Sequence, residues 1–403
     1  MLYPESSDKS LYQEKPFLVS ANEDPLSTFH FEATTDFTLP VAHGLSTFST
    51  LTSDESLKDS EVTKVDISEL SQISRRFVFS AIQNPKRKTQ RGPRLSTHLK
   101  TKFHKRPLKK EVVDDLPLII ALKSRNQPSL VELYGSFSEM LGSGSGGRVY
   151  STYSMACGGK FAIKTFRPIR GSEGRRHYYE IISNEIYIGA SLDHPNIIKT
   201  IDVALEDGQI HQVMEFCSMD MVALFKGVNM GEHQINRYFV QMVNSLQYLH
   251  QRGIAHRDLK LENFCLGEDG LIKLIDFGCA FIFGDSLSRK RKLATSITGT
   301  DPYIAPEVHE GSPYDPAKAD IWSLAIVYVC MVLRKFPWEI ARPTNRAYAN
   351  FLKHRHEDEF FRNIPSDTLP LIRSMLNPNP AERPSVEEMF WDPWFQSLLE
   401  KSP

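Results

Sequence analysis

Hydrophobic and polar residues follow no sustained period over the first third of this 403-residue chain. Up to about Leu130, Ser, Thr, Pro and charged residues dominate. Such a composition buries too little apolar surface to offset the entropy of ordering the chain, so residues 1–130 are predicted to be largely disordered. An apolar patch from Leu116 to Leu122 is one exception, and we expect it to pack on the back of the folded part of the chain.

Regular patterns begin near Tyr134, with short strand-like runs first and segments of helical spacing afterwards. The predicted strands are Tyr134–Leu141, Arg148–Met155 and Lys160–Phe166, and the predicted helices are Ile181–Leu192, Ile235–His250, Asp320–Leu333 and Leu369–Leu376. This order predicts an α+β fold with a small sheet-rich lobe, residues 134–217, and a larger helical lobe, residues 218–396. The apolar run Ile321–Leu333 is shorter than the roughly 20 residues that span a bilayer, so it is expected to be a core helix.

The net charge of −1 averages over an uneven distribution of charges. Residues 1–74 carry 13 acids and 4 bases, residues 75–110 carry 13 Lys and Arg with no acid, and residues 111–403 carry 36 acids and 31 bases. The simplest interpretation of the basic segment 75–110 is a solvated linker. An anionic membrane surface comes next, because each Lys or Arg near it contributes about 1 kcal/mol. Nucleic-acid binding or nuclear import is the third, but the aromatic residues among these charges give no strong nucleic-acid signal.

The cysteines and the N-terminus bear on the cellular compartment. The five cysteines are odd in number and have no metal-like spacing, which is typical of unpaired thiols in a reducing environment. The first residues contain no apolar signal-peptide core, and Met1-Leu2 lacks the glycine that myristoylation needs. The sequence therefore predicts a cytoplasmic protein, associated with membranes only where 75–110 brings it there, and it gives no sign of oligomeric state.

A glycine-rich loop joins the first two predicted strands. Side chains at Gly142, Gly144 or Gly147 would keep the backbone from approaching phosphate oxygens, while Leu141 and Val149 are placed to cover a purine base. Alone, the GxGxxG pattern is weak evidence, and a plain turn explains it equally well. Because the loop joins strands instead of opening a helix, it does not favour a dinucleotide-binding fold. The candidate phosphate-binding residues are Gly142, Ser143, Gly144, Ser145, Gly146, Gly147, Arg148 and Val149.

The strongest single pattern is the loop His256–Asn263, with Asp276 following it. In such a loop Asp258 accepts the proton of a substrate hydroxyl, and Lys260 neutralises charge on a transferring phosphoryl group. Asn263 and Asp276 offer the oxygen ligands that Mg²⁺ prefers. The alternative is a hydrogen-bonded turn without chemistry, which the distance to Asp276 along the chain disfavours.

Five motifs in a fixed order resemble those of the eukaryotic protein kinases. They are the glycine loop, Ala162-Ile-Lys164, His256-Arg-Asp258-Leu-Lys260-Leu-Glu-Asn263, Asp276-Phe-Gly278 and Ala305-Pro-Glu307. The resemblance covers roughly Tyr134 to Phe395 and implies a two-lobed protein-kinase fold, with the kinase domain at 134–396 behind a regulatory region at 1–130. It also implies Mg-ATP-dependent transfer of the γ-phosphate to Ser or Thr hydroxyls of proteins, since Lys260 is typical of serine/threonine kinases.

The resemblance also assigns the phosphate-facing ion pair. Lys164 is expected to point its ammonium at the α- and β-phosphates of ATP, and Glu185 on the following helix to pair with it. Glu185 is preferred to Glu180 because it stands ten residues before Pro195, as in related kinases.

Further roles are implied in the same way. Met214 is expected at the back of the adenine pocket, with Glu215 to Cys217 forming the hinge. Thr300 resembles the threonine that bonds the catalytic Asp and Lys. Asp320 resembles the aspartate that bonds the backbone of the catalytic loop, and Glu307 with Arg383 resembles the buried ion pair of the helical lobe.

Regulation and substrate preference rest on single residues. Ser296 stands four residues before Thr300, where many kinases are phosphorylated, and a phosphate there would pair with Arg257; an ordinary loop serine is the alternative. Glu262 resembles the acid that selects a basic residue three positions before the target hydroxyl. Because Cys330 replaces a second acid on the central helix, the expected preference is moderate and confined to one position.

Within the family, the chain looks closest to the fungal halotolerance and nutrient-permease-regulating kinases. The shared stretches are Glu215-Phe-Cys-Ser-Met-Asp220-Met, Asp276-Phe-Gly-Cys-Ala280, Gly299-Thr-Asp-Pro-Tyr303 and Tyr314-Asp-Pro-Ala-Lys-Ala-Asp320. This implies a cytoplasmic kinase that controls ion or nutrient transporters at the plasma membrane. Two alternatives stay open: a pseudokinase scaffold, disfavoured because Lys164, Asp258 and Asp276 are all present, and a membrane-recruited adaptor whose N-terminal region is the main functional part.

Overall fold

The computed structural model describes residues 117–123, 128–171, 174–284, 291–354 and 359–400. Its helices are α1 (Pro117–Lys123), α2 (Leu130–Tyr134), α3 (Arg175–Ser191), α4 (Met221–Gly227), α5 (Glu232–Gln251), α6 (Pro316–Leu333), α7 (Arg346–Lys353), α8 (Leu369–Met375), α9 (Val386–Met389) and α10 (Pro393–Glu400). Its strands are β1 (Phe137–Ser143), β2 (Gly147–Ser154), β3 (Gly159–Phe166), β4 (Thr200–Glu206), β5 (Gln209–Glu215), β6 (Cys217–Asp220), β7 (Ile254–Ala255), β8 (Phe264–Gly267), β9 (Ile272–Leu274) and β10 (Phe281–Ile282). Strands dominate the first part of this order and helices the second, as predicted.

The small lobe is built on a five-stranded antiparallel sheet with the order β1-β2-β3-β5-β4. Lys164, on the central strand β3, lies opposite Val149 on β2 and Gln212 on β5. The backbone of a residue on a central strand is hydrogen-bonded to both neighbouring strands, which limits how far that residue can move. The register therefore places Lys164 directly beside β2, the strand that follows the glycine loop.

A short helix replaces the predicted start of the first strand. The sequence pattern predicts strand from Tyr134, but Tyr134 ends α2, and β1 begins only at Phe137. Ser129 caps α2 in a capping box: Glu132 N donates to Ser129 Oγ (3.2 Å) and Ser129 N donates to Glu132 Oε2 (2.8 Å). The Tyr134 hydroxyl then donates to Asp202 Oδ2 on β4 (3.0 Å), which anchors the helix on the sheet.

Order also begins earlier than predicted. Helix α1 lies within residues 1–130, for which disorder was expected, and its Leu118, Ile119 and Leu122 side chains are only 2%, 4% and 8% exposed. They pack with residues of α3 and of the sheet in one cluster, so the expected packing of the Leu116–Leu122 patch is observed for these three. Each buried aliphatic side chain of this kind contributes about 1.5–3 kcal/mol. The basic segment 75–110 lies outside the described residues, and the predicted domain boundaries stay predictions.

The large lobe is organised around α6. This helix is buried on all sides, which is typical of the central helix of a core. Among the described helices, only α6 is long and apolar enough to cross a membrane, but 83% of that stretch is buried inside the protein. The run Ile321–Leu333 is therefore a core element, as the sequence predicted. Pro316 at the first helical position and the Asp315 side chain, which accepts from Ala317 N (2.9 Å), define where α6 begins.

A buried ion pair ties distant parts of this lobe together. Arg383 donates from Nη1 to Glu307 Oε1 (2.6 Å) and from Nη2 to Glu307 Oε2 (2.7 Å). The guanidinium also lies over the Trp322 ring of α6, 4.9 Å from its centroid. The structure thus places Glu307 and Arg383 as the resemblance implied, in a bidentate geometry that fixes both residues.

Candidate active site

The glycine loop between β1 and β2 uses its glycines in two different ways. A Cβ at Gly147 would lie 2.2 Å from the carbonyl oxygen of Thr165 on β3, so the packing of the protein itself requires glycine there. A Cβ at Gly142 or Gly144 would meet no protein atom within 4 Å. A Cβ at Gly146 would lie 3.4 Å from Lys164 Nζ, which shows that the loop passes over this ammonium group.

Lys164 joins the sheet to α3 and to the large lobe. Its Nζ binds the Glu185 carboxylate and lies 3.2 Å from Asp276 Oδ1, while the whole residue is only 8% exposed. Burial disfavours the charged ammonium, but the two carboxylates outweigh it and hold the pKa of Lys164 above its ordinary value. Glu180 instead pairs with Arg176 on the helix surface, so the structure places Glu185, and not Glu180, against Lys164.

Asp276 is held as an anion beside this lysine. Burial would raise the pKa of the carboxyl, but the Lys164 ammonium and the Gly278 N–H, 3.3 Å from Asp276 Oδ1, lower it below the usual range. The next residue, Phe277, is buried with its ring 5.6 Å from that of His256. A Cβ at Gly189 of α3 would lie 3.5 Å from the Phe277 ring, so α3 packs closely over this segment.

A second cluster of polar side chains surrounds Asp258. Thr300 Oγ1 donates to Asp258 Oδ1 (2.7 Å), and Lys260 Nζ donates to Asp258 Oδ2 (2.8 Å) and to Thr300 Oγ1 (2.8 Å). Asn263 Nδ2 donates to the Asp258 backbone oxygen (2.8 Å) and lies 3.2 Å from its Oδ2. The four residues that the sequence singled out are therefore in mutual contact, and they fix the orientation of the Asp258 carboxylate.

The backbone beneath Asp258 is held by a buried carboxylate. Asp320 of α6 is fully buried and accepts from His256 N (2.8 Å), Arg257 N (2.7 Å) and His250 Nε2 (3.0 Å). Arg257 has a φ of 64°, a conformation that non-glycine residues rarely adopt without support. Asp320 supplies that support, so it bonds the backbone of the His256–Asn263 loop as the resemblance implied.

The expected hinge residues Met214 to Cys217 connect β5 to β6. Met214, the last residue but one of β5, lies opposite Ala162, and Cys217 begins β6, so both lie at the junction of the lobes. Glu215 Oε1, however, accepts from Lys199 N (2.7 Å), and its Oε2 lies 3.5 Å from Lys273 Nζ. The Glu215 carboxylate is used within the protein, so only its backbone is left to face an adenine base.

Asn263 and Asp276 fit a Mg²⁺ ion by their chemistry. Asp276 is a carboxylate kept ionised, and it is half exposed at its side chain. The Asn263 amide nitrogen is bound to Asp258, which leaves the amide oxygen as the ligand atom. Carboxylate and amide oxygens are hard donors of the kind that Mg²⁺ takes.

Ser296 lies beside the cationic side chain of Arg257. Its exposed hydroxyl accepts from Arg257 Nη1 (3.0 Å), and its backbone oxygen accepts from the Tyr314 hydroxyl (3.0 Å). Arg257 also donates from Nε to the Cys279 backbone oxygen (2.8 Å). Sequence reasoning paired Ser296 with Arg257 but missed Tyr314, whose only sign was its place in a family-like stretch.

Glu262 lies at the edge of the site. Its side chain is exposed, and its Oε2 is 3.5 Å from the Tyr303 hydroxyl. Cys330 is buried nearby on α6; burial and then the negative charge of Glu262 raise the pKa of its thiol, which stays neutral. Glu262 therefore presents a carboxylate to solvent next to Asn263.

This site and this fold define a class of protein. A lysine–glutamate pair under a glycine loop, and an aspartate held by lysine, asparagine and threonine, sit together in a two-lobed α+β structure. Residues 136–395, more than half of the chain, match the protein kinase domain family, so the chain belongs to that family. The fold class predicted from the sequence is confirmed.

Within the family, the chain is similar to fungal serine/threonine kinases of the nutrient-permease and halotolerance group, as expected. It is 35% identical over 302 residues to the nitrogen permease reactivator protein of Saccharomyces cerevisiae, which covers 64% of this chain and 38% of that protein. It is 37% identical over 244 residues to the serine/threonine-protein kinase oca2 of Schizosaccharomyces pombe (60% and 37% covered). It is 31% identical over 294 residues to the serine/threonine-protein kinase HAL4/SAT4 of Saccharomyces cerevisiae (69% and 49% covered). The matches span less than half the length of these relatives.

The two kinds of glycine predict two different mutational outcomes. Gly147→Ala should lower the free energy of unfolding by about 1–3 kcal/mol, because the backbone must move away from the Thr165 carbonyl. Gly142→Ala should change it by less than about 0.5 kcal/mol, since its Cβ meets open space. Denaturant unfolding of the two purified variants beside the wild type measures this difference. Equal stability of the two variants would show that the loop does not pack on β3 as described.

Proposed function

We propose that this chain is an active Mg-ATP-dependent protein kinase that transfers the γ-phosphate of ATP to Ser and Thr hydroxyls of proteins. The observation that carries the proposal is the contact of Asp258 with Lys260, Asn263 and Thr300. Fixing one carboxylate with three neighbours is useful for chemistry that depends on positioning, as phosphoryl transfer does. A turn with a purely structural role does not need a threonine from 42 residues further along the chain to meet a lysine at one aspartate.

Each residue has a role in this reaction. Asp258 orients the substrate hydroxyl and accepts its proton, while Lys260, already beside Asp258, offsets negative charge on the phosphoryl group in transit. Lys164, held by Glu185, binds the α- and β-phosphates under the glycine loop. Leu141, Val149, Met214 and the hinge backbone enclose the adenine.

Asn263 and Asp276 would hold Mg²⁺, which neutralises phosphate charge when it is bound. The lowered pKa of Asp276 keeps its carboxylate ionised for that purpose. The same carboxylate contacts Lys164. Phosphate-binding and metal-binding groups are therefore adjacent in the folded chain.

A catalytically silent scaffold is the runner-up. A pseudokinase usually lacks the phosphate lysine, the catalytic aspartate or the metal aspartate. Here Lys164, Asp258 and Asp276 are all present and each has the partners that an active site needs. The geometry therefore favours activity, and turnover measurements decide between the two.

Removing either carboxylate should stop phosphoryl transfer. Asp258→Asn and Asp276→Asn should each lower kcat on a peptide array with radiolabelled Mg-ATP by at least about a hundredfold, because each loses a charge that the transition state needs. Asp207→Asn is the matched control, since Asp207 is an exposed turn residue with a φ of 49° and lies outside the site. Asparagine tolerates that φ and the 64° of Asp276, so the backbone is not disturbed in either case.

Near-normal turnover of Asp258→Asn or Asp276→Asn would remove the role given to that residue. No transfer by the wild type, with nucleotide binding retained, would favour the scaffold.

The same array reports on Glu262, which we propose as the residue that selects Arg or Lys three positions before the target hydroxyl. Its exposed carboxylate beside Asn263 supports this role, and Glu262→Gln should flatten the preference while leaving kcat on neutral peptides unchanged.

Ser296 is proposed as a regulatory phosphosite. Its hydroxyl already contacts Arg257, so a phosphate there would gain a charge-assisted hydrogen bond next to the catalytic loop. Ser296→Ala should lower kcat/KM about tenfold, the equivalent of one such bond, whereas Thr295→Ala, an exposed neighbour, should not. Mass-spectrometric mapping of the active wild type provides the second check. A fully active enzyme without phosphate in 291–300 would rule out this switch.

We also propose that this protein regulates transporters. We further propose that it is cytoplasmic and associates with the membrane surface. The support is the similarity to a protein named nitrogen permease reactivator and the 13 basic residues of 75–110. The full chain should float with phosphatidylserine vesicles and not with phosphatidylcholine vesicles, and binding should weaken steeply with salt. Replacing the Lys and Arg of 75–110 by Gln should abolish flotation. Binding that is indifferent to anionic lipid would leave 75–110 as a linker.

A further inference from the structure

Helix α3 carries Glu185, and its N-terminus lacks a side-chain cap. Its N-cap is Gly174, which supplies no side-chain hydrogen bond, and the first turn contains Arg175, Arg176 and His177 but no acid. Positive side chains near a helix N-terminus oppose the helix dipole. Packing against other elements therefore contributes to the position of this part of α3, together with the Tyr178 hydroxyl, which donates to the Arg167 backbone oxygen.

Two separate cores hold the two ends of α3. Ile188 and Leu192, at the C-terminal end, belong to the main core of the large lobe. Tyr178, Ile182 and Ile186 belong to a different cluster, with Leu118, Ile119 and Leu122 of α1 and three sheet residues, Phe166, Val203 and Ile210. The N-terminal two thirds of α3 thus shares one apolar cluster with α1, and both helices also pack on β4.

Glu185 sits between the anchor points of this second cluster. It follows Ile182 by three positions and directly precedes Ile186, which is completely buried. Side chains three and four apart share one side of a helix, so the packing of Ile182 and Ile186 sets the rotation of α3 about its axis at Glu185. A small rotation there would carry the carboxylate away from Lys164.

Helix α1 lies outside the region that matches the kinase family, which begins at residue 136. We propose that α1 is a positioning element of the active site: its Leu118, Ile119 and Leu122 side chains hold α3 in the rotation at which Glu185 pairs with Lys164. This rests on the proposed kinase function. The structural part of the inference, the dependence of α3 on α1, is independent of turnover.

The test is a double-mutant cycle in the full chain. Leu118→Asn with Leu122→Asn should detach the seven-residue α1 and lower kcat/KM for peptide about tenfold or more. In a Glu185→Gln background the same pair of changes should have less than about a twofold further effect, because the ion pair they act through is already lost. Val131→Asn, an exposed apolar residue of α2, is the matched control and should be silent. The variant Leu118→Met with Leu122→Met keeps the apolar volume and should retain the kcat/KM of the wild type.

Hydrogen exchange of α3 provides a readout that does not depend on catalysis. The Asn pair should increase exchange in 175–191 and leave α5 and α6 protected, whereas the Met pair should match the wild type. Equal losses of kcat/KM with and without Glu185, or no loss in the wild-type background, would overturn the proposal. Should the wild type itself transfer no phosphate, the kinase proposal fails; unchanged exchange of α3 in the Asn pair would then overturn the inference separately, and increased exchange would support it.

Discussion

The buried ammonium of Lys164 constrains the relative positions of β3, α3 and the segment around Asp276. It lies between Glu185, from a helix, and Asp276, from the large lobe, while it is itself fixed on the central strand β3. Burying one charge in a protein is costly unless opposite charges reach it with good geometry, and removing a partner leaves that cost uncompensated. The sheet, α3 and the segment around Asp276 are therefore constrained together. Movement of any one of them changes the charge balance at the place where phosphates are expected to bind.

Asp258 depends on a constraint of a different kind. Its loop contains an unfavourable backbone conformation at Arg257, which is maintained because the fully buried Asp320 accepts two successive backbone N–H groups. Asp320 in turn belongs to α6, the helix that the large-lobe core surrounds. The rigidity of an apolar core is thus transmitted through one carboxylate to a polar loop. Pre-organisation of this sort lowers the reorganisation that the chemical step would otherwise require.

Motif spacing predicted the polar clusters well because their residues are close in sequence or their order along the chain is characteristic. Asp258, Lys260 and Asn263 fall within six residues, and the Lys164–Glu185 pair is implied by the resemblance to related kinases. The prediction was wrong where short segments have ambiguous patterns: Tyr134 was assigned to a strand although Ser129 and Glu132 form a capping box, a signal that was present. It was incomplete where a contact joins distant parts of the chain, as for Tyr314 with Ser296. Composition also cannot tell that Leu118 and Ile119 join an apolar cluster with residues of α3 and of the sheet.

The folded unit therefore extends beyond the part that the kinase family shares. The match begins at residue 136, but α1 and α2 complete the apolar packing of the small lobe. Only six residues, 111–116, separate the basic segment 75–110 from α1. Even fully extended, that connection spans at most about 25 Å between the flanking Cα atoms. Any surface that binds the last of these basic residues is thus close to the small lobe, and the element that joins the two is the one that packs beside the Glu185 helix. Recruitment and catalysis, where both are found, act on adjacent parts of one chain.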